Sequence, residues 1–254
     1  MQSLRVVLVA GLALQSLLGL ADSSLPLPPY IKACSRNDPN LNECAKKNGN
    51  AAIPYIVKGD PKYKIPVLDP LVVTELRVEQ GTKEVKIDLH ATDMKITGLK
   101  AMHLDEYITD LEKGTIKVKA TIPSMALDSK YTIDGAIHGL PIKGDGDLHI
   151  TLVEYLPTIY YRMQYVERKG EKFMDLHPTS FHADVKNGTI RLSNLFNGDK
   201  NLGDNMNIFM NENWPTLYTE LSPAIDEVVQ QIMDKIMSVP MESVPFDNVY
   251  PEKV

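Results

Sequence analysis

Beyond residue 21 the sequence has no stretch that approaches the roughly 20 continuous apolar residues of a transmembrane helix. It has no polybasic run, and its net charge is −6, which argues against nucleic acid and anionic membrane as main partners. It has no G-x-S-x-G elbow and no H-E-x-x-H pair, so the common hydrolase and metalloprotease signatures are missing. Internal repeats, low-complexity tracts and flexible linkers are also lacking, and a single domain is expected.

What is present begins with a leader. Arg5 supplies a weak positive start, Val6 to Leu14 form an apolar run, and Gly19 and Ala21 suit a cut before Asp22. Residues 1–21 are therefore expected to be a signal peptide and 22–254 one secreted domain. Cleavage removes Arg5 and no acid, taking the charge from −6 to −7. Only two cysteines occur, Cys34 and Cys44. In a secreted chain an even count reads as a disulfide, here closing a loop of about 11 residues and worth about 3 kcal/mol. The competing metal pair is disfavoured, because the spacing is too wide for CxxC and no nearby histidine completes a site. Asn187-Gly188-Thr189 is a glycosylation sequon, and its Asn-Gly step predicts an exposed turn.

Hydrophobic periodicity divides the domain. Ala45 to Val57 predicts a short helix ending near Lys58-Gly59-Asp60-Pro61. A β-branched run at Leu71–Val78 is followed by alternating, period-2 runs at Val85–Leu89, Ile116–Ala120, Tyr131–Ile137 and Leu148–Leu152, and by further strand-like runs at Ile159–Val166, Phe181–Val185 and Ile190–Leu192. The apolar parity switches at Ala91-Thr92 and resumes at Met94 and Ile96, which predicts a bulge. The period then lengthens. Leu217, Leu221, Ala224, Ile225, Val228, Ile232 and Ile236 recur at steps of 3 and 4, and Val229 and Met233 widen the apolar face. Asn213 reads as N-cap, Pro215 as an early helical residue and Pro223 as a kink. A helix over 212–238 would be about 40 Å long at 1.5 Å per residue. Its wide apolar face must be wrapped, and the one-sidedly apolar strands are what can wrap it.

Candidate chemistry is sparse. The six histidines are scattered, and His177 and His182 stand across Pro178 without a shared helical face. Gly139 to Gly146 is glycine-rich but flanked by strands, so a bent strand is favoured over a phosphate loop. Asp145 and Asp147 form a close pair, yet no regular series of oxygen ligands surrounds them. No catalytic residue, metal site or cofactor is assigned.

Two short segments at opposite ends of the chain carry a resemblance. Pro29-Tyr30-Ile31-Lys32-Ala33-Cys34 leads through Asp38 to Leu41-Asn42-Glu43-Cys44, and Asn211-Glu212-Asn213-Trp214 leads to Glu220-Leu221-Ser222-Pro223. Between them stand Leu68-Asp69-Pro70-Leu71, Tyr131-x-Ile133-x-Gly135, Leu140-Pro141-Ile142-x-Gly144-x-Gly146, and Phe196-Asn197 through Leu202-Gly203 to Asn205-Met206-Asn207. In this order they resemble the takeout/juvenile-hormone-binding family of insect secreted carriers. The lepidopteran hormone carriers have a second disulfide, for which this chain lacks cysteines, and that places it nearer the takeout branch.

The resemblance implies an α+β fold: a strongly curved antiparallel sheet wrapped around a long C-terminal helix, with a short N-terminal helix. It implies a non-enzymatic carrier of an extended hydrophobic ligand such as a juvenile hormone, another terpenoid or a fatty-acyl lipid. The alternative is a secreted signalling factor in circadian, feeding or chemosensory physiology, with a vestigial ligand site and an unidentified receptor. The expected ligand-lining residues are Tyr131 and Ile133 on strands and Leu217, Leu221, Ile225, Val228, Ile232 and Ile236 on the helix. A hydroxyl from Tyr131, Tyr160 or Tyr161 is expected to select an ester or epoxide. A monomer is expected, and release near the N-terminal helix or the tunnel mouth, because the disulfide clamps the segment before that helix.

Overall fold

The computed structural model describes residues 5–7, 24–81 and 85–254. The expected leader and its cleavage point lie outside the described residues, apart from the short strand β1 (Arg5–Val7). The rest runs α1 (Leu41–Ile56), β2 (Leu71–Gly81), β3 (Val85–Thr97), β4 (His103–Asp110), β5 (Thr115–Ile137), β6 (Leu140–Arg168), β7 (Glu171–Leu192), α2 (Lys200–Glu212), α3 (Trp214–Met241) and α4 (Phe246–Val249). All the strands belong to one antiparallel sheet in the order β1-β2-β3-β5-β6-β7, with β4 paired to β5.

The short alternating runs of the sequence fuse into long strands: β5, β6 and β7 have 23, 29 and 22 residues. The apparent breaks are bends rather than turns. Pairing of β5 with β6 is interrupted between Lys119–Thr158 and Ile122–Tyr155, where Pro157 has no N–H to contribute. The expected bulge after Thr92 is present, with Asp93 at φ 52 and the β3–β5 register shifting between Thr92 and Lys95. The Asn187-Gly188 turn is not. Asn187 pairs with Val153 in mid-strand, and continuous pairing with β6 on both sides overrides the local turn preference. Two-residue hairpins stand instead at His138-Gly139, between β5 and β6, and at Lys169-Gly170, between β6 and β7, all four residues with positive φ.

The sheet must curl, because one helix reaches most of it. Leu217 lies in one buried cluster with Val85, Ile87, Tyr131 and Ile133, and Leu221 packs against it. Ile232 packs on Val73, Ala91 and Met94 of β2 and β3. Met233, Met237 and Met241 pack among Ile116, Tyr161 and Met174 of β5, β6 and β7. The helix starts at Trp214, with Asn213 in the N-cap position, but the Asn213 side chain donates to the Phe209 carbonyl instead of capping. Helix α2 was not among the helices expected from the sequence; it buries Met206 and Met210 in the same cluster as Leu217 and also docks on β7 through hydrogen bonds. Asn207 and Asn211 each accept from and donate to the β7 backbone, at Leu192 and Ile190 respectively, at 2.8–2.9 Å. Pro223 deprives the Thr219 carbonyl of its helical partner, and the Ser222 hydroxyl stands 3.4 Å from that oxygen.

Candidate ligand-binding site

A cavity of about 170 Å³ lies where the N-terminal segment, the sheet and the end of α3 meet. Its outer wall is Ile31, Cys34 and, from α1, Ala45, Asn48 and Gly49. Cys34 and Cys44 are disulfide-bonded, which ties the start of α1 to that wall. The sheet contributes Ile116, Val118, Tyr161 and Leu176. Met174 of β7 and Met237 and Met241 of α3 close the inner side. An apolar lining follows from the period-2 pattern, since the inward residues of adjacent strands converge here. Three methionines give this wall unbranched, adaptable side chains.

Three phenols face the cavity, in two different states. Tyr107 and Tyr250 hydrogen-bond each other at 2.6 Å, so their hydroxyls satisfy one another. Tyr161 is 4 % exposed, and its buried hydroxyl has no hydrogen-bond partner among the described residues. Burial pushes the Tyr161 phenol well above its ordinary range, aided by the negative charge of Asp234. It stays neutral and can donate. A buried hydroxyl without a partner costs about 1–3 kcal/mol, so a ligand oxygen placed there would be bound selectively. Tyr131, by contrast, donates to the Ser193 carbonyl at 2.7 Å, and Tyr160 is 44 % exposed under Lys117. Of the three tyrosines singled out in the sequence, Tyr161 alone faces the cavity with its hydroxyl free.

The residues expected to line a ligand are distributed along the molecule. Tyr131, Ile133, Leu217 and Leu221 come together at the end where α3 begins. Ile232 lies against β2 and β3, Val228 is buried, and Ile225 and Ile236 are partly buried. None of these eight borders the 170 Å³ cavity. The helical residues that do, Met237 and Met241, continue the row Val229, Met233 by steps of four. That row was the signal available in the sequence. Tyr107 and Tyr250 had none, because strand β4 and the C-terminal segment show no distinctive pattern.

No group of histidine, cysteine or carboxylate side chains among the described residues is arranged to hold a metal. Asp147 of the acidic pair is instead an ion-pair partner of Lys130. Among the described residues no helix is long and apolar enough to cross a membrane.

Residues 7–251 match the haemolymph juvenile hormone binding protein (JHBP) family. The chain belongs to that family. JHBP-family proteins are lipid-binding carriers, and the architecture above is theirs. Relatives include the circadian clock-controlled protein daywake of Drosophila melanogaster, 25 % identical over 237 residues and covering 90 % of each chain. Daywake of Drosophila yakuba is 24 % identical over the same length and coverage. The crystal structure of takeout 1 from Epiphyas postvittana superposes with a TM-score of 0.75 at 24 % identity, covering 87 % of this chain and 99 % of that one. That likeness establishes the JHBP-family fold.

Proposed function

We propose that this protein is a secreted, non-enzymatic carrier that sequesters one extended hydrophobic ligand bearing a hydrogen-bond-accepting oxygen. The observation that carries the reading is the Tyr161 hydroxyl, buried and without a partner among the described residues, at a cavity whose lining is mainly apolar apart from Lys32, Asn48, Tyr107 and Tyr250. Ester, epoxide and carbonyl oxygens of juvenile hormones, other terpenoids or fatty-acyl lipids fit that demand. Ligand cavities typically measure about 300–1,000 Å³, so the methionine wall is expected to move outward on loading. Burying about 16 apolar carbons contributes about 13 kcal/mol gross, and lost ligand freedom leaves an affinity of roughly micromolar to nanomolar.

Among the described residues no histidine, serine or carboxylate borders the cavity, which supports carriage over hydrolysis. The disulfide and the exposed sequon residue Asn187 fit a secreted, glycosylated chain. The capped outer edge of β7 supports a monomer. Similarity to circadian clock-controlled proteins favours one second reading, a signalling factor whose ligand site is vestigial.

Native mass spectrometry of protein secreted from insect cells, with lipid extraction, separates the two. A stoichiometric oxygen-bearing apolar adduct supports carriage. An empty protein that also fails to take up added juvenile hormone or fatty acid overturns it.

A further inference from the structure

Strand β7 is the terminal strand of the sheet, and its free edge is covered by one polar row of α3. The row is Tyr218, Asp226, Gln230, Asp234 and Ser238, one step of eight across Ser222 and then steps of four, which lie on a single helical ridge. Tyr218 donates to the Ala183 carbonyl at 2.5 Å, Gln230 to the Pro178 carbonyl at 3.0 Å and Ser238 to the Leu176 carbonyl. Two histidines of β7 complete the seam. His177 lies 3.1 Å from Asp234 through Nδ1 and 3.1 Å from Asp175 through Nε2. His182 lies 3.0 Å from Asp226 through Nδ1 and 3.5 Å from Asp184 through Nε2.

Each imidazole thus has a carboxylate oxygen at both nitrogens. A neutral ring can donate from only one nitrogen, so both contacts are hydrogen bonds only in the imidazolium form. The seam also divides two spaces. Met174, Leu176, Met237 and Met241 border the inner cavity. His177, Asp226, Gln230 and Asp234 border an open groove of about 640 Å³ outside. The Ser238–Leu176 hydrogen bond stands between them, next to His177 and Asp234.

We propose that the β7–α3 seam is a lateral gate between groove and cavity, closed while His177 and His182 are protonated and loosened when they lose that proton. This rests on the carrier reading, and it places ligand exit on the opposite wall from α1. The charged and titratable groups facing the two histidines are Asp175 and Asp184 on β7, Asp226, Glu227, Asp234 and Tyr218 on α3, and Tyr161 and Arg162 on β6. Hydrogen bonds to Asp234 and Asp226 raise the two histidines above their ordinary value. Burial, the largest influence on Asp226, raises that carboxyl too, and its Oδ1 has no hydrogen-bond partner among the described residues. All three shifts have one sign. Groups raised on folding stabilise the seam below their unfolded values, and that stabilisation is lost as pH rises through the folded ones. The gate therefore closes in mildly acidic fluid and loosens toward alkaline pH.

The test loads the full chain with N-phenylnaphthylamine and follows its release between about pH 5.5 and pH 8.5, the span over which histidine discharges. Release should quicken several-fold with rising pH across that span. In His177→Gln/His182→Gln it should be fast and independent of pH. Asp226→Asn, which removes the half-buried charge, should flatten the profile and serves if the double variant misfolds. A wild-type release rate that does not change with pH overturns the gate. If the probe never binds, the carrier reading fails by itself, and hydrogen exchange on the free protein still decides the gate. Protection that falls with pH over 174–182 and 226–241 upholds it, and a fall confined to 45–58 overturns it.

Discussion

The indole of Trp214, the first residue of α3, lies so close over Gly188 of β7 that a Cβ on Gly188 would stand 2.1 Å from the ring carbon Cζ2. Gly188 is buried, while its neighbour Asn187 faces solvent. The contact fixes where α3 leaves the sheet. Gly188→Ala should lower stability by about 1–3 kcal/mol through overpacking. Trp214 is the single tryptophan of the chain, so its fluorescence should shift in the same variant. The substitution keeps Asn-x-Thr intact, and the glycosylation state should not change. An unshifted emission spectrum would argue against the close contact.

Tyr161 and Tyr131 are both buried phenols with opposite expected behaviour. Tyr161→Phe removes a hydroxyl without a partner, so the ligand-free protein should gain about 1 kcal/mol or hold steady in urea unfolding. Its affinity for an ester-bearing probe should fall, while that for a plain hydrocarbon should not. Tyr131→Phe breaks the bond to the Ser193 carbonyl and should cost about 1 kcal/mol with no change in ligand preference. Equal ligand preference in wild type and both variants would remove Tyr161 from the site.

Asn207 and Asn211 act as a substitute strand for the edge of β7. Replacing either by Ala removes two hydrogen bonds to β7 and a third to a carbonyl of α2, and strands a β7 backbone N–H and C=O. Each variant should lose about 2–3 kcal/mol, more than a surface substitution on α2 such as Asp204→Ala. Comparing melting temperatures of the three proteins checks this.

Reducing the Cys34–Cys44 bond, or replacing Cys44 by Ser, frees a ten-residue span of sequence and should cost about 3 kcal/mol. Cys34 borders the cavity, so loss of the bond should also weaken retention of a hydrophobic probe. Full retention after complete reduction would show that the clamp serves the fold alone.

Much of this molecule was legible along the chain. The bulge after Thr92, the helix ending near Gly59 and the long apolar helix ending the domain each leave a local mark, because period and glycine–proline punctuation are set by neighbours in sequence. Strand length was not legible. The gap between the runs Leu148–Leu152 and Ile159–Val166 and the Asn187-Gly188 step read as interruptions, yet pairing on both flanks carries β6 and β7 through them. Helix α2 was missed for a related reason. Its apolar set, Met206, Phe209 and Met210, is short, and the rest of its anchor is a pair of asparagines satisfying an edge strand, to which hydrophobic patterning is blind.

The sequence by itself determined the α+β class, the single cysteine pair, the family and the dry faces of helix and strands. Only the tertiary structure decided which part of the dry face stays unfilled. A cavity is the space left where α1, four strands, α3 and the C-terminal segment fail to touch, and its place depends on side-chain volumes summed over residues distant in sequence. That sum leaves Tyr161 facing open space, Tyr131 bonded to a neighbouring backbone and Tyr160 outside, a distinction that strand periodicity alone cannot make.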